Sequence, residues 1–447
     1  MFTSVKLKNF RSFKEISFNL CDKPDSPKHM AIVYGENGAG KSNLASVFVL
    51  LNELMQTMDI RDQYEEMLQQ KAVFSDERME QLLRERLMSG LRDIQAISRD
   101  YRMVGNPDPI EVEYEFSIGG NSGVYSVSLD EQEIIHEHLE YRLNSRRGVY
   151  FDCSAEGITI NKSIVTDKDL LDDIKRAAKK YWGKHSILAI ILHEIKDKSN
   201  AYAKDNLSGN FEDVLSELQL VSCYIGYGTR VWESMFSPLQ ILDKPISGRL
   251  LRDDEDQLDL AEQIFTKFYS AINSNVHKVS YQRSYTEHYV EYTLQMIKLI
   301  AGEERTIDFA RESRGNYQLL KVLCYLLVAC MGVTVILDEA DSAIHDMLFK
   351  KIIHEIAPCI QGQLIVMTHN TMLMESDLSR NSIYVLFEEE AGNKVVRCIT
   401  DYEKRTYFNN NLRNKYLNGE YGGLPAVSQI DFSNLIMSLA SKLENRN

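Results

Sequence analysis

The chain has 447 residues, enough for two or three domain-sized units, and its 44% apolar content is that of an ordinary globular protein in water. A net charge of −14 excludes a protein coated in nucleic acid or bound to anionic membrane, while leaving room for a local basic groove. Seven scattered cysteines with no C-x-x-C pair argue against a disulfide framework or a zinc site and fit a reducing, cytoplasmic setting; the charged, strand-like opening residues do not read as a signal peptide.

Residues 2–20 alternate as a β-hairpin, with Val5, Leu7 and Phe10 on one arm and Phe13, Ile16 and Phe18 on the other. Asn9-Phe10-Arg11-Ser12-Phe13 forms the bend, and two readings of Arg11 stand: a solvated side chain, or a contact to a nucleotide phosphate. Next comes Gly35-Glu36-Asn37-Gly38-Ala39-Gly40-Lys41-Ser42, a complete G-x-x-x-x-G-K-S loop. A buried strand over 30–34 enters it. A helix over 43–55 leaves it, with Leu44, Val47, Phe48, Leu51 and Leu54 at helical spacing. Glycines let backbone N–H groups close around a phosphate chain, and the helix start adds partial positive charge. The nucleotide-contacting positions are therefore Gly35, Asn37, Gly38, Gly40, Lys41, Ser42 and Asn43. Lys41 reaches the β- and γ-phosphates, and the Ser42 hydroxyl ligates Mg²⁺.

Residues 59–102 read as a charged helical arm with breaks near Ser75 and Ser89-Gly90 and a narrow apolar stripe (Met67, Leu82, Leu83, Leu87, Leu91). Strands over 110–118, 124–129, 134–143 and 148–160 follow as one sheet. His136 and His138 share a strand face at ligand spacing, but no further His or Cys cluster joins them, so they read as an ordinary exposed pair. Residues 166–268 read as mostly helical, with an acidic surface stretch at 253–259. They carry Lys175, Arg176, Lys179, Lys180 and Lys184 beside Tyr181 and Trp182. With Arg142, Arg146 and Arg147 these form either a patch for DNA, RNA or an acidic protein, or a solvated helix face. A second hairpin spans 276–283 and 288–299, with a short strand over 306–309.

The second chemical motif is Val333-Thr334-Val335-Ile336-Leu337-Asp338-Glu339, a buried strand delivering two acids at its C-terminal edge. Asp338 holds Mg²⁺ directly or through water, and Glu339 polarises the attacking water. The pair of motifs makes the chain ATP-binding and ATP-hydrolysing. Residues 319–337 are apolar enough to mimic a membrane span, but Lys321 interrupts them and Gly332 breaks them, leaving a buried helix and then the acid-bearing strand. Leu364-Ile365-Val366-Met367-Thr368-His369 is another buried strand, ending in histidine. A hairpin over 383–387 and 394–399 precedes the glycine-rich stretch 417–425.

In this order the motifs resemble those of ABC-type ATPases of the SMC, RecF and OLD branch. More closely, the chain is similar to bacterial AAA family ATP-binding proteins of phage-defence and abortive-infection systems, such as the ATPases of PARIS and Septu and those like RloA. The resemblance covers residues 9–42 and 313 to the end. It implies that Ser313-Arg314-Gly315 is the signature loop, whose Ser313 and Gly315 meet a γ-phosphate held by another subunit; Arg314 departs from the usual small residue. It implies that Asp341-Ser342-Ala343-Ile344-His345 contacts a second subunit, that His369 is the switch residue sensing the γ-phosphate, and that residues 417–425 are the family's terminal segment. No glutamine is assigned to the glutamine loop. The implied fold class is α/β, an ABC-type P-loop head with a mixed sheet, a helical arm and a helical lid. The head comprises 1–58, a β-rich part 106–165 and 276–447, with the arm at 59–105 and the helical insert at 166–275. The implied assembly is a homodimer or higher oligomer with ATP sites completed in trans, ATP and Mg²⁺ as cofactors, and no membrane. No nuclease site is visible. The expected role is therefore an anti-phage sensor and scaffold controlling a separate toxic effector, triggered by a phage protein or DNA. The alternative is a RecF-like repair ATPase that binds DNA and loads partners.

Overall fold

The computed structural model describes residues 1–23, 25–59, 92–196, 206–227, 230–375, 378–389, 392–402, 411–424, 431–433 and 436–437. The expected arm lies mostly outside the described residues. Only its end is seen, as helix Ile94–Tyr101, whose start is capped where the Ala96 N–H donates to the Asp93 carboxylate.

Two seven-stranded sheets frame the molecule. The first is antiparallel throughout, in the order Gly157–Ile160, Arg146–Ser154, Ile134–Leu143, Asn121–Leu129, Ile110–Ile118, Phe2–Phe10, Phe13–Asn19. The expected N-terminal hairpin is thus one edge of the sheet predicted further along. One face is apolar (Val5, Leu7, Val112, Tyr114, Leu139), while the other carries ion pairs such as Lys6 with Glu113 and Glu115. His136 and His138 lie on the sheet and share Asp152, at 3.1 and 3.3 Å.

The second sheet is mixed, in the order Arg230–Ser234, Val221–Tyr227, Thr334–Asp338, Gln363–Met367, Met30–Tyr34, Ile383–Glu388, Lys394–Cys398. Its five inner strands are parallel and its edges antiparallel. Successive residues of the inner strands enter opposite cores. Ala31, Val33, Ile336, Ile365 and Met367 face helix Lys41–Met55 and the antiparallel sheet. Ile32, Tyr34, Val335, Leu337, Leu364 and Val366 face helices Arg314–Cys330 and Asp346–Ile356. This explains why those strands read as continuous apolar runs. Beyond these helices lies a four-stranded sheet of Ser247–Leu251, Val276–Tyr285, Tyr289–Ile300 and Glu303–Asp308. Gln363, fully buried, joins the two large sheets. Its amide donates to the Phe2 and Lys28 carbonyls (2.9 Å each) and accepts from the Phe2 N–H (3.1 Å).

The mostly helical reading of 166–268 needs correction. Helices Lys168–Tyr181, Ile187–Lys196, Gly209–Gln219 and Asp256–Ile272 are present, but strands Val221–Tyr227, Arg230–Ser234 and Ser247–Leu251 interrupt them. Val221–Tyr227 is an inner strand of the mixed sheet, parallel to the acid-bearing strand. Ser186 donates to the Leu54 carbonyl (2.8 Å), so Ile187–Lys196 packs at the far end of the P-loop helix. The basic side chains of Lys168–Tyr181 point outward, where Arg176 pairs with Asp173, and on the antiparallel sheet Arg147 pairs with Glu140. Among the described residues no helix is long and apolar enough to cross a membrane.

Candidate nucleotide site

The loop after Met30–Tyr34 uses glycine where nothing larger fits. A Cβ on Gly35 would lie 2.5 Å from the Leu386 carbonyl oxygen, and one on Gly40 would lie 2.9 Å from the Phe13 ring, at φ +114°. Gly38 is also left-handed, at φ +83°. Lys41 begins the helix, and its buried ammonium turns back into the loop. It donates to the carbonyls of Gly35 (2.9 Å) and Glu36 (3.2 Å) and to His369 Nε2 (2.8 Å). All three N–H donors are thereby engaged. Burial lowers the Lys41 pKa, opposed by the charges of Asp338, Glu339 and Glu36. Burial, and then the Lys41 charge, lower the His369 pKa; where Lys41 donates to Nε2, the neutral ring holds its proton on Nδ1.

Thr334–Asp338 runs parallel to Gln363–Met367, which runs parallel to Met30–Tyr34, so Lys41, Asp338, Glu339 and His369 meet at one sheet edge. Both carboxylate oxygens of Asp338 are buried without a hydrogen-bond partner. Burial pushes its pKa up to about 6; the nearby Ser42 hydroxyl opposes this without completing a bond of ordinary geometry. An orphaned carboxylate beside a serine hydroxyl fits a hard cation. Two protein oxygens are what Mg²⁺ takes when phosphates and water supply the rest of its octahedron, and no protein-only metal cluster occurs among the described residues. Glu339 is exposed and holds a left-handed backbone at φ +51°, with its N–H on the Met367 carbonyl (3.0 Å). Thr368 donates to Asp341 (2.5 Å), and its oxygen accepts the Asn370 N–H (2.9 Å), tying the acid-bearing turn to the histidine-bearing one.

Arg11 sits beside the loop. Its guanidinium lies over the Tyr101 ring (4.6 Å), and Nη1 is 3.5 Å from Asn43 Oδ1. Asn43 in turn donates to Ser12 (2.8 Å), fixing the hairpin bend to the helix start. Asn37 is exposed at the loop tip, where Lys394 donates to the Gly38 carbonyl (3.0 Å). Ser313 and Gly315 are elsewhere. Ser313 caps helix Arg314–Cys330 through the Asn316 N–H (3.2 Å), and a Cβ on Gly315 would lie 2.9 Å from the Ala343 carbonyl. No described hydrogen bond joins them to Lys41, Ser42, Asp338 or His369. Glu312 anchors this loop through Lys298 (2.5 Å) and Asn316 (2.8 Å); burial tends to raise its pKa, but these partners outweigh it and lower it. Nothing in the sequence marks the Lys394 contact, because it joins residues 356 apart in the chain.

Convergence of a P-loop, two strand-end acids and a strand-end histidine on one edge of a mixed parallel sheet defines an ABC-type P-loop nucleotide-binding head. The profile of the family described as "AAA domain, putative AbiEii toxin, Type IV TA system" matches residues 30–375, and the chain belongs to that family. Comparison with curated proteins finds no match. Among solved structures, the chain is similar to the SMC head domain from Thermotoga maritima (15% identity, TM-score 0.36, 89% of this chain and 98% of that one). It is also similar to an SmcHead bound to the C-winged helix domain of ScpA (13%, 0.41, 89% and 96%). A third is an Smc head domain with an extended coiled coil bound to the C-terminal domain of ScpA derived from Pyrococcus furiosus (13%, 0.39, 89% and 95%).

Proposed function

We propose that the protein is an Mg²⁺-dependent ATPase whose two copies close on two ATP molecules, and that it acts as sensor and scaffold in bacterial anti-phage defence, controlling a separate toxic effector. The observation that carries the ATPase reading is the Lys41–His369 pair beside the orphaned Asp338 carboxylate. A triphosphate entering the loop takes over Lys41 donors now spent on two carbonyls and an imidazole. His369, neutral with its proton on Nδ1, is left free to turn toward the γ-phosphate. Ser42 and Asp338 would hold Mg²⁺, which neutralises phosphate charge. Glu339 projects from its left-handed turn into solvent, where a carboxylate can orient water for in-line attack. Arg11, held over Tyr101, is within reach of the same phosphates. Ser313 and Gly315, packed against their own Ala343 loop, are the surface offered to the ATP of a second copy.

Family membership supports the defence reading, and the net charge of −14 disfavours a chain that embraces DNA alone. The test is native mass spectrometry of the tagged chain, expressed with its flanking genes and purified with Mg-ATP. A complex with a neighbour-encoded protein is expected. A bare homodimer whose ATPase is stimulated by DNA would instead establish the RecF-like reading.

A further inference from the structure

Residues 411–424 return to the base of the nucleotide loop. Helix Leu412–Leu417 leads into a stretch in which Gly419, Gly422 and Gly423 are all left-handed. Gly423 meets the first P-loop residue. A Cβ built on it would lie 2.6 Å from Val385 Cγ1 and 3.5 Å from the Gly35 Cα, at φ +73°. Its carbonyl accepts the Tyr416 hydroxyl (3.0 Å), and the Tyr416 ring packs on Tyr34, the residue before Gly35, with centroids 5.7 Å apart. The same segment reaches the other wall of the site. Arg413 donates to the Thr371 hydroxyl (3.0 Å) and the Glu375 carboxylate (2.9 Å), just past His369. Tyr34 completes the circuit by donating to the Asn370 carbonyl (3.2 Å).

One short segment thus grips the turn that carries Lys41 and the turn that carries His369. We infer that residues 411–424 are a positioning clasp for the ATP site, setting the separation of the P-loop from the histidine turn through Gly423 and Tyr416 on one side and Arg413 on the other. This rests on the nucleotide-binding reading above. Tyr416 and Arg413 contact Tyr34, Gly423, Thr371 and Glu375 rather than the loop's phosphate-facing interior, so the clasp acts through Gly35 and His369.

The two grips have separable consequences. At Gly423 an added methyl group has no room against Val385, at 2.6 Å, and sits at a backbone conformation L residues avoid, so the segment must shift away from Val385 and its 3.5 Å contact with Gly35 shifts with it. Gly423→Ala is expected to weaken Mg-ATP binding about tenfold and to raise KM with little change in kcat. Adding Val385→Ala, which removes the clashing methyl, restores part of the affinity. Arg413→Ala frees the histidine turn and is expected to lower kcat several-fold with Mg-ATP affinity kept, while Arg413→Lys, which can still pair with Glu375, recovers part of the rate. The experiment measures Mg-ATP affinity by calorimetry and steady-state hydrolysis on the full chain, beside Ile174→Val, a core control far from the clasp that lowers the melting temperature. Wild-type affinity and rates in both clasp variants would overturn the inference. So would losses that follow melting temperature along the same line as Ile174→Val, without the split between KM and kcat. A wild-type chain that fails to bind Mg-ATP would overturn the nucleotide reading, and the clasp with it.

Discussion

Glu339 holds a left-handed backbone that glycine would adopt more readily, and that conformation costs an L residue about 1–2 kcal/mol. The proposed role of Glu339 as the residue that orients water therefore predicts that its carboxylate, and not its backbone, carries the chemistry. Two substitutions separate backbone from chemistry. Glu339→Gln retains Mg-ATP binding and loses turnover by about 10²–10³-fold, as read in a phosphate-release assay. Glu339→Gly loses turnover equally but melts no lower than the wild type, since the strain is relieved. Equal hydrolysis by Glu339→Gln and wild type would remove Glu339 from the catalytic role. Lys41 is the reverse case, a buried cation whose partners are two carbonyls and a neutral ring. Lys41→Ala is expected to abolish Mg-ATP binding measurable by calorimetry, because loop amides alone are left to meet the phosphates.

The elements that carry chemistry show how stability and pH are coupled. Glu137 lies on strand Ile134–Leu143 and is fully buried. Its carboxylate accepts from the Ile187 N–H (2.7 Å), the Trp182 indole (3.3 Å) and the Tyr125 hydroxyl (3.0 Å), yet burial outweighs them and pushes its pKa from 4.5 up to about 7. Its contribution to stability is fully present below pH 4.5 and is lost as pH rises through 7, about 3 kcal/mol in all at 1.36 kcal/mol per unit. In Glu137→Gln the amide oxygen can keep the Ile187 and Trp182 donors while its NH₂ donates to Tyr125. Urea unfolding of wild type and Glu137→Gln from pH 5 to 8 is expected to show the wild type losing stability relative to the variant; parallel curves would refute the assignment. The same contrast governs what a reader of the sequence can see. Gly35–Ser42, Asp338-Glu339 and His369 were legible because each follows an apolar strand and carries residue types that phosphate chemistry demands. Val221–Tyr227 was not, because seven residues with Ser222, Cys223 and Gly226 among them, set between helices, give no period, and its partner strand Thr334–Asp338 lies far along the chain. Gln363, which joins the sheets, depends on a side chain finding partners across such a distance.

At the scale of the whole molecule, the proposed function places the phosphate partner of Ser313 in a second copy, and that placement can be tested. Within one chain the Ser313–Gly315 loop leans on Ala343, and among the described residues no hydrogen bond joins it to the P-loop edge, so the proposed ATP partner is expected to belong to a second copy. Two copies at −14 each repel at long range, so closure depends on local complementarity at the ATP sites. Association of Glu339→Gln in Mg-ATP is therefore expected to strengthen between low and moderate salt, as screening removes the net repulsion. Subunit mixing settles the geometry. Lys41→Ala cannot load its own P-loop but keeps an intact Ser313. Ser313→Arg keeps its P-loop but cannot complete the partner's site. Each alone is expected to be inactive. Mixed one to one, half of the dimers pair one chain of each kind and contain one whole site of two, so roughly a quarter of wild-type ATPase should return. If Ser313 instead closes on the nucleotide of its own chain, no mixed dimer contains a whole site and mixing restores nothing. A Lys41→Ala chain that never dimerises would also give no recovery, but analytical ultracentrifugation of the mixture in Mg-ATP separates that case, because the mixed dimer is then absent rather than present and inactive.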